Sequence, residues 1–207
     1  MLRILNHTML ILSILMINSA FAATVTLPRT GQTSCTDSAG AVIACSNTGH
    51  DGEKLKGTAW PNPRFTDNTN GTVTDNLTGL IWLKNANCTE TSGGLVKTNG
   101  NLNWVDALSW SNGLANGICS LSDGSTAGQW RLPNINELES LVDAERSYPV
   151  LPSGHPFTSV QSSVYWSSST SAIDTTFAWH VCMDDGDVGN ATMKTSTYYV
   201  WPVRAGL

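Results

Sequence analysis

Two rhythms of apolar residues run through this chain, and each marks a different kind of element. In Phe177-Ala178-Trp179-His180-Val181-Cys182-Met183, strict alternation predicts a strand with Phe177, Trp179, Val181 and Met183 on one face. Ala178, His180 and Cys182 then share the other face. Further strands are predicted at 164–168, around 188–194 and at 198–204, with short ones inside 64–83 punctuated by Asn70-Gly71 and Thr78-Gly79 turns. Ile135, Leu138, Leu141 and Val142 recur instead at helical spacing. Asn134 stands at the N-cap of that helix, and Glu137 is placed to complete a capping box. A second helix is predicted at 103–115, capped by Asn103 with Asp106 three residues on.

Proline and glycine divide these elements. Trp60-Pro61-Asn62-Pro63 reads as a joint between a polar, glycine-punctuated arm at 23–59 and a main domain at 60–207. A polar loop is predicted at 89–101. Pro149 and Pro152 force 147–155 to be extended or irregular. Strands, two helices, then more strands is an α+β order, with the helices packed on a twisted, mainly antiparallel sheet and long loops between.

Several of these stretches form an ordered set: Thr78-Gly79-Leu80-Ile81-Trp82-Leu83, Asn103-Trp104-Val105-Asp106-Ala107-Leu108, Trp130-Arg131-Leu132-Pro133-Asn134, Tyr165-Trp166-Ser167-Ser168 and Tyr199-Val200-Trp201-Pro202-Val203-Arg204. Together they resemble the Lcl C-terminal domain family, over roughly residues 60 to 205. The resemblance implies a surface-exposed or secreted adhesion module, and the family's namesake is associated with sulfated glycosaminoglycans. The order of elements is also similar to the C-type lectin-like fold, and the Arg131-Leu132-Pro133 turn to that of formylglycine-generating enzymes. Neither the Glu-Pro-Asn or Gln-Pro-Asp triplet nor the Trp-Asn-Asp strand of calcium-dependent lectins is found in the sequence. The cysteine pair of those enzymes has only Cys182 as a counterpart.

Compartment limits the chemistry. Arg3, the apolar run at 9–17 and Ala20-Phe21-Ala22 read as a secretory signal peptide at 1–22, which predicts an exported protein: periplasmic, on the outer surface or secreted. No second run of spanning length follows, so no membrane insertion is expected after cleavage. The chain carries 11 Lys and Arg against 16 Asp and Glu, and cleavage removes Arg3, so nucleic acid is not an expected partner. No Lys/Arg cluster offsets that balance. In an oxidising compartment the five cysteines favour disulfides. Cys35 and Cys45 flank a small hairpin, Cys88 and Cys119 bracket the first helix, and Cys182 is left as a free thiol.

The candidate chemistry is sparse. Asp184-Asp185-Gly186-Asp187 gathers three carboxylates at a turn, which suits either a hard cation such as calcium or simple solvation. The stretch from Asp67 to Asp75 has a loose likeness to a calcium loop, but is read first as a hairpin turn in which Asn70-Gly71 supplies positive φ. Of eight tryptophans, Trp82, Trp104, Trp130, Trp166 and Trp179 are expected in the core, while Trp60, Trp110 and Trp201 are candidates for a glycan-stacking surface. Arg131 and Arg204 are expected to pair with Glu137 or Glu139. His50, His155 and His180 are scattered. No resident cofactor is expected beyond a possible calcium. The expected function is a non-catalytic exported module that binds a glycan or a surface protein. The alternatives are an enzyme using Cys182 and a structural envelope protein.

Overall fold

The structure, a computed structural model, describes residues 27–206. Residues 1–22, expected from the sequence to be a signal peptide, lie outside the described residues. An antiparallel hairpin of β1 (Cys35–Thr36) and β2 (Val42–Ile43) comes first, followed by one turn of helix, α1 (Asp51–Lys54). A meander of β3 (Phe65–Asp67), β4 (Thr72–Asp75) and β5 (Ile81–Leu83) leads through β6 (Asn101–Leu102) into α2 (Trp104–Asn112). After α3 (Ile135–Glu139) comes a second meander, β7 (Val164–Thr170), β8 (Phe177–Cys182) and β9 (Val188–Met193). The chain closes with β10 (Tyr198–Tyr199) and β11 (Val203–Arg204).

The class is α+β, as the order of patterns predicts. The single expected sheet is, however, two. One runs β6-β10-β7-β8-β9 and the other β11-β5-β4-β3, with the β1-β2 hairpin apart from both. The expected strand at 198–204 is what divides them. β10 pairs parallel with β7, whereas β11 pairs antiparallel with β5, so the last stretch crosses from one sheet to the other. Pro202 lacks an amide to continue a ladder. Its carbonyl accepts from Leu83 N (3.1 Å), and Trp201 Nε1 donates to Leu83 O (2.8 Å), so the crossing is stitched to β5.

Between the sheets and helices lies one core, with Trp82, Trp110, Trp130, Trp166 and Trp201 buried in it. Phe157 and Trp201 meet edge to face at 4.8 Å between centroids, a geometry that suits the ring quadrupoles. α2 and α3 both pack on β7, and α3 also on β8. α2 stops at Asn112, short of the expected 115, with Gly113 as its C-cap; a Cβ there would lie 2.5 Å from the backbone of Gly93, so glycine is the residue that fits. Both predicted caps form: Asn103 accepts from Asp106 N, and Asn134 and Glu137 make a complete capping box. α3 ends at Glu139, yet Leu138 and Leu141 are fully buried and Ile135 and Val142 pack against the same core.

β8 departs from its predicted alternation. Register shifts flank Trp179 on both sides, between Trp166 and Thr170 of β7 and between His180 and Ala178 against β9. A bulge of this kind changes which face each side chain meets. Ala178 is therefore buried together with Val181 and Met183, while Trp179 is half-buried and stands outside the core.

The N-terminal arm is bound to the rest by polar contacts. Glu145 Oε2 accepts from the amides of Thr33 (2.9 Å) and Ser34 (3.2 Å), and Ala144 N donates to Thr30 O (2.9 Å). Trp60 Nε1 donates to Arg29 O (2.8 Å), and the buried Arg64 guanidinium lies 4.2 Å from the Trp60 ring centroid. Among the described residues no helix is long and apolar enough to cross a membrane.

Candidate functional site

The β8–β9 turn brings the acidic residues beside the free cysteine. Gly186 adopts a positive φ of 84°, its amide donates to Cys182 O (2.9 Å), and Cys182 N donates to Asp187 O (2.8 Å). The Cys182 thiol donates to Asp184 Oδ1 at 2.6 Å. Burial, then that hydrogen bond, push the thiol up to about 11. The same hydrogen bond holds Asp184 below the usual carboxylate range. Donor atoms of Cys182, Asp184 and Asp185 lie within 4.8 Å of one another. Asp187 is not in that group; its charge acts on His180, partly offsetting the lowering of that imidazole by burial. The three-aspartate set is thus replaced by two carboxylates and a protonated thiol, and a hard cation prefers oxygen ligands.

The stretch from Asp67 to Asp75 is closed on itself. Asp67 pairs with Lys84 Nζ at 2.7 Å and accepts from Thr69 N, while the fully buried Asp75 accepts from Leu77 N and Thr78 Oγ1 and faces Arg64 at 3.5 Å. Its oxygens are committed to protein donors. The positive φ values fall on Thr69 and Gly71 rather than on Asn70 and Gly71, and a Cβ at Gly71 would meet Ser120 O at 2.4 Å.

Two of the three candidate stacking tryptophans are corrected. Trp110 and Trp201 are fully buried, so neither offers a ring face to a sugar. Trp60 is half-buried and held between Arg29 and Arg64, where the arm meets the main body. Trp104, expected in the core, packs only partly against it; Lys194 Nζ lies 3.9 Å from its ring centroid and its Nε1 donates to Ser167 O.

Arg131 and Arg204 are both ion-paired, with one partner different from the expectation. Arg131 makes a two-pronged contact to Glu137 at 2.6 and 2.5 Å, and Glu137 also accepts from Asn134 N at 2.8 Å. Arg204 pairs instead with Asp123 at 3.1 Å, across 81 residues of chain that no local pattern could span. Lys54 pairs with Glu53, and Lys194 donates to Thr170 Oγ1. The histidines stay apart: His50 is exposed, His155 sits beside Phe157, and His180 Nδ1 lies 3.0 Å from Thr192 Oγ1.

A polar cleft of about 450 Å³ was not foreseen from the sequence. Val96, Thr98, Asn99, Asn101, Leu102, Asn103, Asp106 and Thr197 line it. Its rim is a tight turn in which Thr98 and Asn101 exchange backbone hydrogen bonds across Asn99 and Gly100, both at positive φ. The Asn99-Gly100 dipeptide inside the polar loop was the available signal, since that pair favours such a turn. Lys97 folds inward beneath the rim. It is 4% exposed, its Nζ donates to Val200 O (3.1 Å) and lies 3.6 Å from the Trp110 centroid, and burial lowers its pKa to about 7.

Fold and site together define a disulfide-braced α+β module, with Cys35 joined to Cys45 and Cys88 to Cys119 as the spacing suggests. The chain belongs to the Lcl C-terminal domain family, whose sequence model matches residues 71–204. No curated protein matches it. Family and disulfides agree with a secreted or surface-associated domain.

Proposed function

We propose that this protein is a non-catalytic exported module that binds a glycan or a protein partner, at the bacterial envelope or outside the cell. In this reading residues 1–22 are a cleaved leader, 23–59 an arm docked on the domain at 60–207, and the architecture is C-type lectin-like. The observation that carries the reading is the preformed cleft lined from Val96 to Asp106 and by Thr197, whose exposed Thr98, Asn99 and Thr197 side chains hydrogen-bond to no other described residue. Family membership supports it. Against the enzyme alternative stands the Cys182 thiol, held by Asp184 and pushed up to about 11, which is a poor nucleophile at neutral pH. Calcium is kept only as a possible aid, through Asp184 and Asp185.

The test is a screen of the exported chain against glycan and surface-protein arrays that include sulfated glycosaminoglycans, with calcium and with chelator. Saturable binding to one class is expected. Silence across all arrays would overturn the reading in favour of a structural envelope role, and loss of binding on chelation would bring calcium into the site.

A further inference from the structure

We propose that the cleft framed by residues 96–103, Asp106 and Thr197 is a binding site for an uncharged saccharide, an inference that rests on the binding-module reading above. The first argument is available hydrogen-bonding capacity. Thr98, Asn99, Asn101 and Thr197 line one concavity from two distant parts of the chain; none of their side chains hydrogen-bonds to another described residue, and Thr98, Asn99 and Thr197 are exposed, so these groups are free to meet a ligand.

The second argument is preorganisation. Asn103 caps α2 through Asp106 N (3.0 Å) and donates its own amide to Asp106 Oδ2 (2.7 Å), which fixes both side chains. Asp106 Oδ1 keeps its acceptor capacity. The backbone behind them is equally fixed, because Leu102 O accepts from Trp166 Nε1 (3.0 Å) and β6 pairs with β10. A Cβ at Gly100 would come 2.0 Å from Asn87 Oδ1, so the rim turn seats closely on its neighbour.

Charge and polarity then select the ligand. Asp106 is the one charged residue of the lining, and the nearest cation in sequence, Lys97, is turned into the core. Sulfates and phosphates would meet a carboxylate with no compensating cation. A single carboxylate is also too few for calcium. Carboxamides, hydroxyls and one carboxylate match the paired donors and acceptors of a sugar's hydroxyls, while Val96, 65% exposed, offers apolar contact to C–H faces.

The experiment is amide chemical-shift mapping of the isotope-labelled exported chain, titrated separately with glucose, galactose, mannose and N-acetylglucosamine, their disaccharides, a heparin fragment and an unrelated extended peptide. A neutral sugar is expected to shift residues 96–106 and 197, with affinity indifferent to salt. Joint Asn101→Ala and Thr197→Ala substitution should weaken it about tenfold, the loss expected for one or two hydrogen bonds. Should that variant fold poorly, Asn99→Gly removes an amide while keeping the positive φ, and is expected to weaken binding in the same direction. Sugar binding that maps elsewhere, or is untouched by these variants, overturns the site but leaves the module reading standing. Salt-sensitive heparin binding here, or binding of the peptide alone, overturns the uncharged saccharide. Failure of every probe here, with saturable binding on the arrays, overturns this inference alone; failure of both experiments overturns the two together.

Discussion

Lys97 Nζ lies 3.6 Å from the centroid of the Trp110 ring and donates to a backbone carbonyl, and no carboxylate among the described residues pairs with it. Burial lowers its pKa from 10.5 to about 7. Below pH 7 the amine is charged in both the folded and unfolded states, so the full cost of burying the charge is present. Between about 7 and 10.5 the unfolded state binds more protons, and this group makes stability rise with pH. Lys97→Met should therefore raise stability by about 1–3 kcal/mol at mildly acidic pH and by much less at about pH 10. Urea denaturation at the two pH values checks it, and a pH-independent difference would contradict the buried charge.

The two disulfides should differ in worth. Cys88–Cys119 spans a sequence separation of 31 and Cys35–Cys45 one of 10. On the loop-entropy account the first contributes about 4 kcal/mol and the second about 3 kcal/mol. Paired Cys88→Ala and Cys119→Ala substitution should lower the Tm by more than the same change at Cys35 and Cys45. The second pair lies in the arm, so its loss should also raise hydrogen exchange there, leaving the core protected.

Asp184 controls the reactivity of Cys182. Its carboxylate accepts the thiol proton and, after burial, accounts for the high pKa of that thiol. Alkylation of the native protein should be slow at neutral pH and accelerate towards pH 11. Asp184→Asn removes the charge, so it should lower the thiol pKa and speed alkylation at neutral pH. Slower labelling in that variant would reverse the assigned role.

At the start of α3 the local cap should outweigh the ion pair. Asn134→Ala removes the acceptor for Glu137 N and should cost about 1 kcal/mol. Arg131 is 46% exposed in its side chain, so Arg131→Met should cost less than about 1 kcal/mol. Burial raises the Glu137 pKa, but the Arg131 and Asn134 hydrogen bonds overcome it and the net shift is downward. Glu137 thus adds stability above the normal carboxylate range and loses it as pH falls through its lowered value. Equilibrium unfolding of both variants, repeated in acid, measures each part.

What the sequence determined was local. The capping box of Asn134 and Glu137, the Asn103 cap and the α+β class were legible because each depends on residues a few positions apart or on a simple periodicity. The disulfide pairs were legible for a related reason: each closes around one short element. Tertiary structure decided the rest. Trp110 and Trp201 are buried because facing elements cover them, Trp179 leaves the core because β7 and β9 shift register beside it, and Arg204 finds Asp123 only after the chain has crossed between sheets. The cleft belongs to the same category. Asn101 and Thr197 are far apart in sequence and meet because β6 pairs with β10, so their convergence is a property of long-range hydrogen bonding and packing that periodicity cannot encode.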